Sequence, residues 1–216
     1  MKKFIPVILF STLFIACNHR IIDQTSSETD IPTPEDQSQV EEHAELFIED
    51  ETEYVFSMND TKYIKPKGCT IWCIENENNE EVFEEITASI YKQSGKPQAG
   101  YGIVFLGQTI HEKEFLMTVM INISGYYNIG KIIDGHFYSI SKWCPTRYLQ
   151  KGYGVTNKLK ISHSNNKFIL SINGNEVYEF RLEEKISFKG SKSGYVAVIS
   201  PEENFPEESV TVVYKK

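Results

Sequence analysis

Four tight-turn signals divide the stretch from Phe115 to Phe180 into five short apolar runs, each of the length of a β-strand. Glycine, asparagine and aspartate tolerate the positive φ angles that tight hairpins require, and β-branched residues flank the turns. The turns are Ser124-Gly125, Asp134-Gly135, Asn165-Asn166 and Asn173-Gly174. This pattern predicts a series of antiparallel hairpins.

The first of these runs indicates how its strand is buried. Every second residue from Phe115 to Ile123 is apolar, whereas the intervening positions mix apolar and polar side chains. Because side chains alternate between the two faces of a strand, one face is predicted to lie in the core. The other face is predicted to be at least half covered.

The rest of the body, residues 54–216, is also rich in strand-forming residues. Aromatic residues make up 12% of the chain, and Val, Ile, Thr, Tyr and Phe favour strands over helices. Further short strands are predicted over residues 54–58, 63–64, 70–74, 82–92, 100–105, 194–200 and 209–214. About thirteen strands, with turns every eight to twelve residues and no convincing helix, predict an all-β fold made of two antiparallel sheets packed as a sandwich.

The N-terminus has the features of an export signal. Lys2 and Lys3 precede an uncharged run over residues 4–16. A helix of this length reaches only ~20 Å, which is short of the ~30 Å hydrocarbon core of a bilayer. Residues 1–16 are therefore predicted to be a signal peptide and not a spanning helix.

The end of that segment, Leu13-Phe14-Ile15-Ala16-Cys17, resembles a bacterial lipobox. It departs from the usual pattern in having Phe14 three places before the cysteine, with Leu13 one place further out. The resemblance implies a diacylglycerol thioether on Cys17, usually with an N-linked acyl chain such as palmitate, and two or three chains anchor a protein stably. The implied location is the bacterial cell envelope, lipid-anchored at the outer membrane or cell surface. The alternative is a secretory peptide cut elsewhere, which leaves Cys17 without lipid.

Residues 17–53 are predicted to form an acidic flexible tether. They hold twelve acids and one base, whereas residues 54–216 hold eighteen acids and nineteen bases. The tether composition buries too little apolar surface to offset ordering, and such a chain reaches roughly 30–35 Å. Since the acidity belongs to the tether and no basic patch is present, the body is predicted to bind neither nucleic acid nor a strongly charged substrate.

A second resemblance covers residues 82–214. Its elements are, in chain order, Gly100-Tyr101-Gly102-Ile103-Val104-Phe105, Gly125-Tyr126-Tyr127 with Gly130, Asp134-Gly135, Trp143, Asn157-Lys158-Leu159 and Asn173-Gly174. This order is similar to concanavalin A-like lectin/glucanase domains, in particular the laminin-G-like and keto-disaccharide-hydrolase-like jelly rolls of bacterial envelope proteins. The resemblance implies a jelly-roll sandwich. The matching glycines and turns are structural, so they do not fix a function.

The acids of the body do not match those of the enzymes with this fold. Retaining glucanases of the family carry two carboxylates on one strand, in a Glu-x-Asp-x-Glu type of motif. The pairs Glu112 with Glu114 and Glu75 with Glu77 lack the central aspartate and are read as solvated turn residues. The five histidines are far apart and show no zinc-binding spacing. No catalytic residue, metal ligand or cofactor is therefore predicted.

The three cysteines after Cys17 leave their pairing open. Cys69 and Cys73 lie four residues apart on a predicted strand, hence ~13 Å from each other, beyond the ~7 Å Cα limit for a disulfide. Only Cys144 could bridge one of them, or all three thiols are free.

The best candidate for ligand binding is an aromatic segment between Gly125 and Gly154. Flat aromatic faces stack on the C–H groups of sugars, and their polar tips bond hydroxyl groups. The predicted ligand-binding residues are Tyr126, Tyr127, Trp143, Arg147, Tyr148 and Tyr153, several of them in a long loop over residues 141–156. The alternative is that half or more of these rings, Trp143 among them, pack inside the sandwich.

The sequence thus predicts a membrane-anchored lipoprotein that displays a non-catalytic binding sandwich, with polysaccharide as the expected ligand. An alternative is a structural lipoprotein whose sandwich contacts another envelope protein. A glycoside hydrolase is a third hypothesis, retained because the resembled families include enzymes.

Overall fold

The structure is a computed structural model that describes residues 13–14, 18–23, 44–50, 53–58, 69–76, 82–165, 167–182, 186–200 and 209–215. Cys17 and most of the predicted signal peptide lie outside these residues. Within the described part of the chain, no helix is long and apolar enough to cross a membrane.

The described chain consists of sixteen strands and their connections, without a helix. The strands are β1 (Leu13–Phe14), β2 (Asn18–Asp23), β3 (Ala44–Asp50), β4 (Glu53–Met58), β5 (Cys69–Asn76), β6 (Glu85–Ser94), β7 (Tyr101–Ile110), β8 (Lys113–Ile121), β9 (Tyr126–Ile133), β10 (His136–Ser139), β11 (Cys144–Pro145), β12 (Asn157–Ser164), β13 (Lys167–Ile172), β14 (Asn175–Phe180), β15 (Lys192–Ile199) and β16 (Val210–Lys215).

These strands form two antiparallel sheets. The large sheet has the order β1-β2-β5-β15-β7-β8-β9-β10, with β11 also paired to β9. The small sheet has the order β14-β13-β12-β6-β16-β4-β3. The two sheets pack as a jelly-roll sandwich, which confirms the predicted fold class.

The predicted turns lie where the hairpins reverse. Positive φ angles occur at Asp134 (50°) and Gly135 (82°), at Asn173 (50°) and Gly174 (81°), and at Gly125 (90°). Two successive residues with positive φ match the twist of the flanking strands, so they join β9 to β10 and β13 to β14 directly.

The main core lies between the two sheets. The alternate residues of β8 that the sequence predicts as buried, from Phe115 to Ile121, all belong to it. The opposite, outward face of the large sheet is buried as well. A second apolar cluster there contains Val104, Leu116, Met120, Ile132 and Val196. Both faces of the central strands are thus removed from water, as the mixed pattern of β8 predicts for its second face.

Two strands fall inside the segment that the sequence predicts as a flexible tether. β2 pairs with β5 in the large sheet, and β3 pairs with β4 in the small sheet. Both strands carry short apolar runs, Ile21-Ile22 and Leu46-Phe47-Ile48, within otherwise acidic sequence. The composition of the segment as a whole therefore did not reveal that these runs can extend existing sheet edges.

The strand order separates the cysteines. Cys69 and Cys73 lie on β5, whereas Cys144 lies on β11. Five pairing steps separate these strands, through β15, β7, β8 and β9, which is roughly 24 Å along the sheet. Since a disulfide needs Cα atoms within ~7 Å, Cys144 cannot bridge either residue in this fold.

We therefore expect three free thiols in the chain from residue 18 onward. Alkylation of Cys69, Cys73 and Cys144 in denaturant, read by mass spectrometry, should give three labels per chain whether or not a reductant is added first. A mass that shows fewer labels without reductant would contradict this strand order.

Candidate binding surface at the loop end

Three connections meet at one end of the sandwich, which we call the loop end. They are residues 95–100 between β6 and β7, residues 122–125 between β8 and β9, and the long connection over residues 140–156. Backbone hydrogen bonds join them: Thr146 N donates to Gly125 O (3.1 Å) and Gly152 N donates to Ile123 O (3.0 Å). The predicted long loop is therefore packed against its neighbours.

A buried lysine organises the first of these connections. Lys92 is fully buried, and its Nζ donates to Lys96 O (2.8 Å) and Ala99 O (3.3 Å). The Lys92 carbonyl accepts from Gly154 N (2.8 Å). A buried ammonium is stable only where such acceptors surround it, so Lys92 fixes the 95–100 turn against the long connection. The sequence reading missed this role; the available signal was a lysine at an inward position of a strand.

Two asparagines bind the backbone of the long connection through hydrogen bonds. Asn157 is buried, and its side chain bonds both the N–H (2.9 Å) and the carbonyl (3.0 Å) of Gln150. Asn173 Nδ2 donates to Tyr148 O (2.8 Å) and to Asn157 Oδ1 (2.9 Å). The Asn-Gly hairpin and the start of β12 thus act as structural anchors for the loop.

Three of the predicted ligand-binding aromatic rings are exposed at the loop end: Tyr126, Trp143 and Tyr153, with 39%, 40% and 45% of their surface accessible. The ring edge of Trp143 lies over Gly100, 3.0 Å from the position of a Cβ there, with Met120 alongside. Tyr153 donates its hydroxyl to Gly95 O. Because Trp143 is exposed, the alternative that places it in the core does not apply.

Tyr127 is not part of this surface. It is buried, and its ring packs against Tyr178 at 6.2 Å between centroids. Burial raises the pKa of the Tyr127 hydroxyl, and the neighbouring Cys144 thiol raises it further. Since successive side chains of β9 point to opposite faces, Tyr126 faces outward and Tyr127 inward. The prediction that Tyr127 contacts ligand is therefore corrected to a role in the core.

Arg147 and Tyr148 form a pair of their own. Arg147 Nη2 donates to the Tyr148 hydroxyl at 3.0 Å, and the guanidinium carbon lies 5.0 Å from the centre of that ring. The hydrogen bond raises the pKa of the Arg147 guanidinium. Tyr148 is half-buried against the main core. Its ring supports the loop, and Arg147 remains exposed above it.

The outward positions of β8 and β9 in the large sheet carry no acidic side chain. Positions 116, 118 and 120 of β8 and positions 126, 128, 130 and 132 of β9 face outward, and none is Asp or Glu. Glu112 and Glu114 lie at the β7–β8 hairpin, at the opposite end from Gly100. The described residues contain no group of three or more His, Cys, Asp or Glu side chains that could hold a metal.

No protein-family model matches this chain, and no curated protein matches it. Solved structures do match. A GH16 protein of the mixed-linkage-glucan PUL of Bacteroides ovatus, in complex with a G4G4G3G product, is 10% identical over 80% of this chain and 83% of its own, with a TM-score of 0.51. The catalytic domain of an endo-1,3-β-glucanase from Thermotoga petrophila is 12% identical over 78% and 77%, with a TM-score of 0.50. The CBM66 carbohydrate-binding module of Bacillus subtilis is 10% identical over 74% and 83%, with a TM-score of 0.46. The chain therefore has the concanavalin A-like jelly-roll fold.

Proposed function

We propose that this chain is a glycan-binding module without catalytic activity, held at a membrane by lipid on Cys17. The observation that carries the proposal is the exposure of Tyr126, Trp143 and Tyr153 at one end of the sandwich. Exposed aromatic rings are costly in water, and rings held in place lose little entropy when a sugar stacks on them. Trp143, seated over Gly100, and Tyr153, bonded to Gly95, are held in this way.

The solved structures with this fold support a polysaccharide as the ligand class, because the Bacteroides protein holds a glucan product. Mixed-linkage and β-1,3-glucans are therefore the first ligands to examine. Hydrolysis by a retaining mechanism needs two carboxylates about 5 Å apart in the cleft. The outward positions of β8 and β9 between Leu116 and Ile132 carry none, which supports binding without cleavage.

The first prediction for this function is a loss of glucan affinity on removing two of the exposed rings. In the chain from residue 18 onward, which retains β2 and β3, the double variant Tyr126→Ala with Trp143→Ala should bind at least about tenfold more weakly than the unsubstituted chain. Each anchor ring removed costs roughly 1–2 kcal/mol. The measurement is calorimetry against mixed-linkage β-glucan or whichever glycan an array selects, with an assay of reducing ends alongside.

Tyr138→Ala is the matched control. Tyr138 is also an exposed ring, at 49%, but it lies on β10 opposite Lys131 and points to the other face of the sheet from Tyr126. The Tyr138→Ala variant should bind the glycan with the same affinity as the unsubstituted chain. Equal binding by the double variant would refute the aromatic assignment, and a rise in reducing ends would refute the absence of catalysis. If no glycan binds, the interaction with another envelope protein becomes the better hypothesis.

A further inference from the structure

The long connection over residues 140–156 carries positive charge without a carboxylate of its own. It contains Lys142, Arg147 and Lys151, and all three side chains are exposed. It contains no Asp or Glu, and residues 135–175 as a whole contain none. Among the described residues, the ion pairs are formed by other lysines, and no carboxylate pairs with any of these three. The three charges can therefore be used by a ligand.

Two of these basic residues are held beside Gly125. The aliphatic stem of Lys151 lies across this glycine, with its Cε 2.5 Å and its Cδ 3.3 Å from the position of a Cβ there. The backbone N–H of Thr146, the residue before Arg147, donates to Gly125 O (3.1 Å). A lysine that packs its stem on the protein keeps its ammonium group in water. Arg147 and Lys151 thus present two positive charges around the same turn.

Arg147 keeps most of its hydrogen-bond donors for a ligand. A guanidinium group has five N–H donors, and one of them is used in the bond from Arg147 Nη2 to the Tyr148 hydroxyl (3.0 Å). The guanidinium carbon also lies over the Tyr148 ring, 5.0 Å from its centre, so the tyrosine supports the charged group. A planar guanidinium binds both oxygens of a carboxylate or sulfate through parallel hydrogen bonds. The remaining donors of Arg147 therefore suit an anionic group.

The basic residues share their part of the loop end with the exposed aromatic rings. Pro145 is opposite Tyr126 in the β9–β11 pair, and Tyr126 directly follows Gly125. Trp143 comes two residues before Pro145, and Arg147 comes two residues after it. The four residue steps from Trp143 to Arg147 span at most about 14 Å even when fully extended. A sugar chain of a few units is long enough to contact both the rings and the positive charges.

The described acidic residues that are nearest in sequence lie away from Gly125. Glu114 and Asp134 are at the hairpins of the opposite end of the sandwich, and Glu176 is on β14, the edge strand of the small sheet. The glutamates of residues 201–208 follow β15, which is three pairing steps from β9 in the large sheet. The turn that holds the two cations is thus built from strands without a carboxylate near it.

This positive charge is a local property of the loop end. The body as a whole is nearly neutral, and the chain from residue 18 onward has a formal net charge of −10, because the −8 of the full sequence includes Lys2 and Lys3. The sequence-based expectation that the body binds no strongly charged substrate rests on this average. Since the chain as a whole is acidic, only a local site would let it bind a polyanion.

We propose that the ligand of the loop end is an acidic polysaccharide, whose sugar rings stack on Tyr126 and Trp143 and whose carboxylate or sulfate groups bind Arg147 and Lys151. The inference rests on the proposed function and narrows its ligand from glycans in general to anionic ones. Arginine supplies directional bonds to one anion, and lysine supplies a flexible point charge for another. Neutral glucans bind through the rings alone.

Three forms of one polymer test the inference: mixed-linkage β-glucan, the same glucan oxidised to a carboxylate at C6, and the same glucan sulfated at C6. Each exposed ion pair contributes up to about fivefold in affinity. In 0.1 M NaCl, the chain from residue 18 onward should therefore bind at least one anionic form about fivefold or more tightly than the neutral form, as measured by calorimetry. In 1 M NaCl, where the Debye length falls from about 10 Å to about 3 Å, this ratio should approach one. The form that binds more tightly shows whether the site prefers carboxylate or sulfate.

Arg147→Gln with Lys151→Gln removes both charges, so the ratio of anionic to neutral affinity should fall to about one. Lys113→Gln with Lys189→Gln is the matched control, because it removes the same charge from exposed lysines at the opposite end of the sandwich. The control should keep the ratio of the unsubstituted chain. A general loss of structure would weaken both ligands together and leave the ratio unchanged. If the double variant does not fold, the salt dependence of the unsubstituted chain decides the question.

A neutral glucan that binds as tightly as its anionic forms would overturn this inference and leave the proposed function standing. Binding that is confined to acidic members of a glycan array would support it. If no form of the glucan and no glycan on the array binds, the proposed function and this inference both fail. Anionic lipid is the competing partner, since it also attracts basic side chains. Binding to phosphatidylglycerol vesicles but not to phosphatidylcholine vesicles, without a preference for the anionic glucans, would replace the polysaccharide by a membrane surface.

Discussion

Phe168→Ala is expected to lower the free energy of unfolding by about 3–5 kcal/mol, the range for a large aromatic removed from a core. Phe168 is fully buried on β13. Its ring centre lies 4.7–6.4 Å from five other rings, those of Phe83, Phe105, His163, Phe180 and Phe188. These rings come from both sheets and from the segments before β6 and β15, so their positions are tied to one another. They cannot all move inward to fill the space, and a cavity remains.

Urea denaturation followed by circular dichroism measures this effect. Tyr138→Ala removes a ring of similar size from an exposed position, and its unfolding free energy should stay within about 0.5 kcal/mol of the unsubstituted chain. A loss below about 1.5 kcal/mol for Phe168→Ala would show that the aromatic cluster collapses around the missing ring or does not pack as described.

Cys17→Ser is expected to abolish lipid attachment to the full-length protein, which either releases the chain from the membrane or leaves it unprocessed. Each buried methylene of an acyl chain contributes about 0.8 kcal/mol to membrane binding, so two or three chains account for nearly all of the anchoring energy. The residues after Cys17 are strongly acidic and would not hold the chain at an anionic membrane surface.

Metabolic labelling with a clickable fatty acid, combined with membrane fractionation, measures this outcome. Cys144→Ser is the matched control, because it removes a thiol from the body while leaving the N-terminus intact, and it should be labelled as strongly as the unsubstituted protein. Undiminished label on the Cys17→Ser chain would show that lipid is carried elsewhere or that the segment is cut at another site.

Local sequence was enough to predict the hairpins and the buried faces of their strands. The residues Asp134-Gly135 and Asn173-Gly174 specify turns through their own backbone preferences, and the alternation along β8 follows from its own side chains. Gly102 of β7 is explained by the neighbouring strand β8. A Cβ at Gly102 would collide with the carbonyl oxygen of Val119, as expected where another backbone approaches closely.

Other features of the fold could not be predicted from local sequence, because they depend on the pairing of strands that are distant in the chain. Tyr126 and Tyr127 are adjacent and identical in type, yet one is exposed and the other buried, because the register with β8 and β11 sets which faces outward. The distance of Cys144 from Cys69 likewise depends on the order of the six strands from β5 to β11. The contacts of Asn128 with Ser139 and Ser141 form only where β9 meets the start of the long connection, so no local pattern predicts them.

The positions of the last two strands have a consequence for how the chain acquires its fold. β15 lies between β5 and β7 in the large sheet, and β16 lies between β6 and β4 in the small sheet. The Tyr214 hydroxyl on β16 donates to Val196 O on β15 (2.8 Å), which links the two sheets. Until residues 192–215 have been synthesised, each sheet lacks an inner strand and presents two unpaired edges to other chains. Completion of the sandwich must therefore wait for the C-terminus, and its long-range pairings make folding slow.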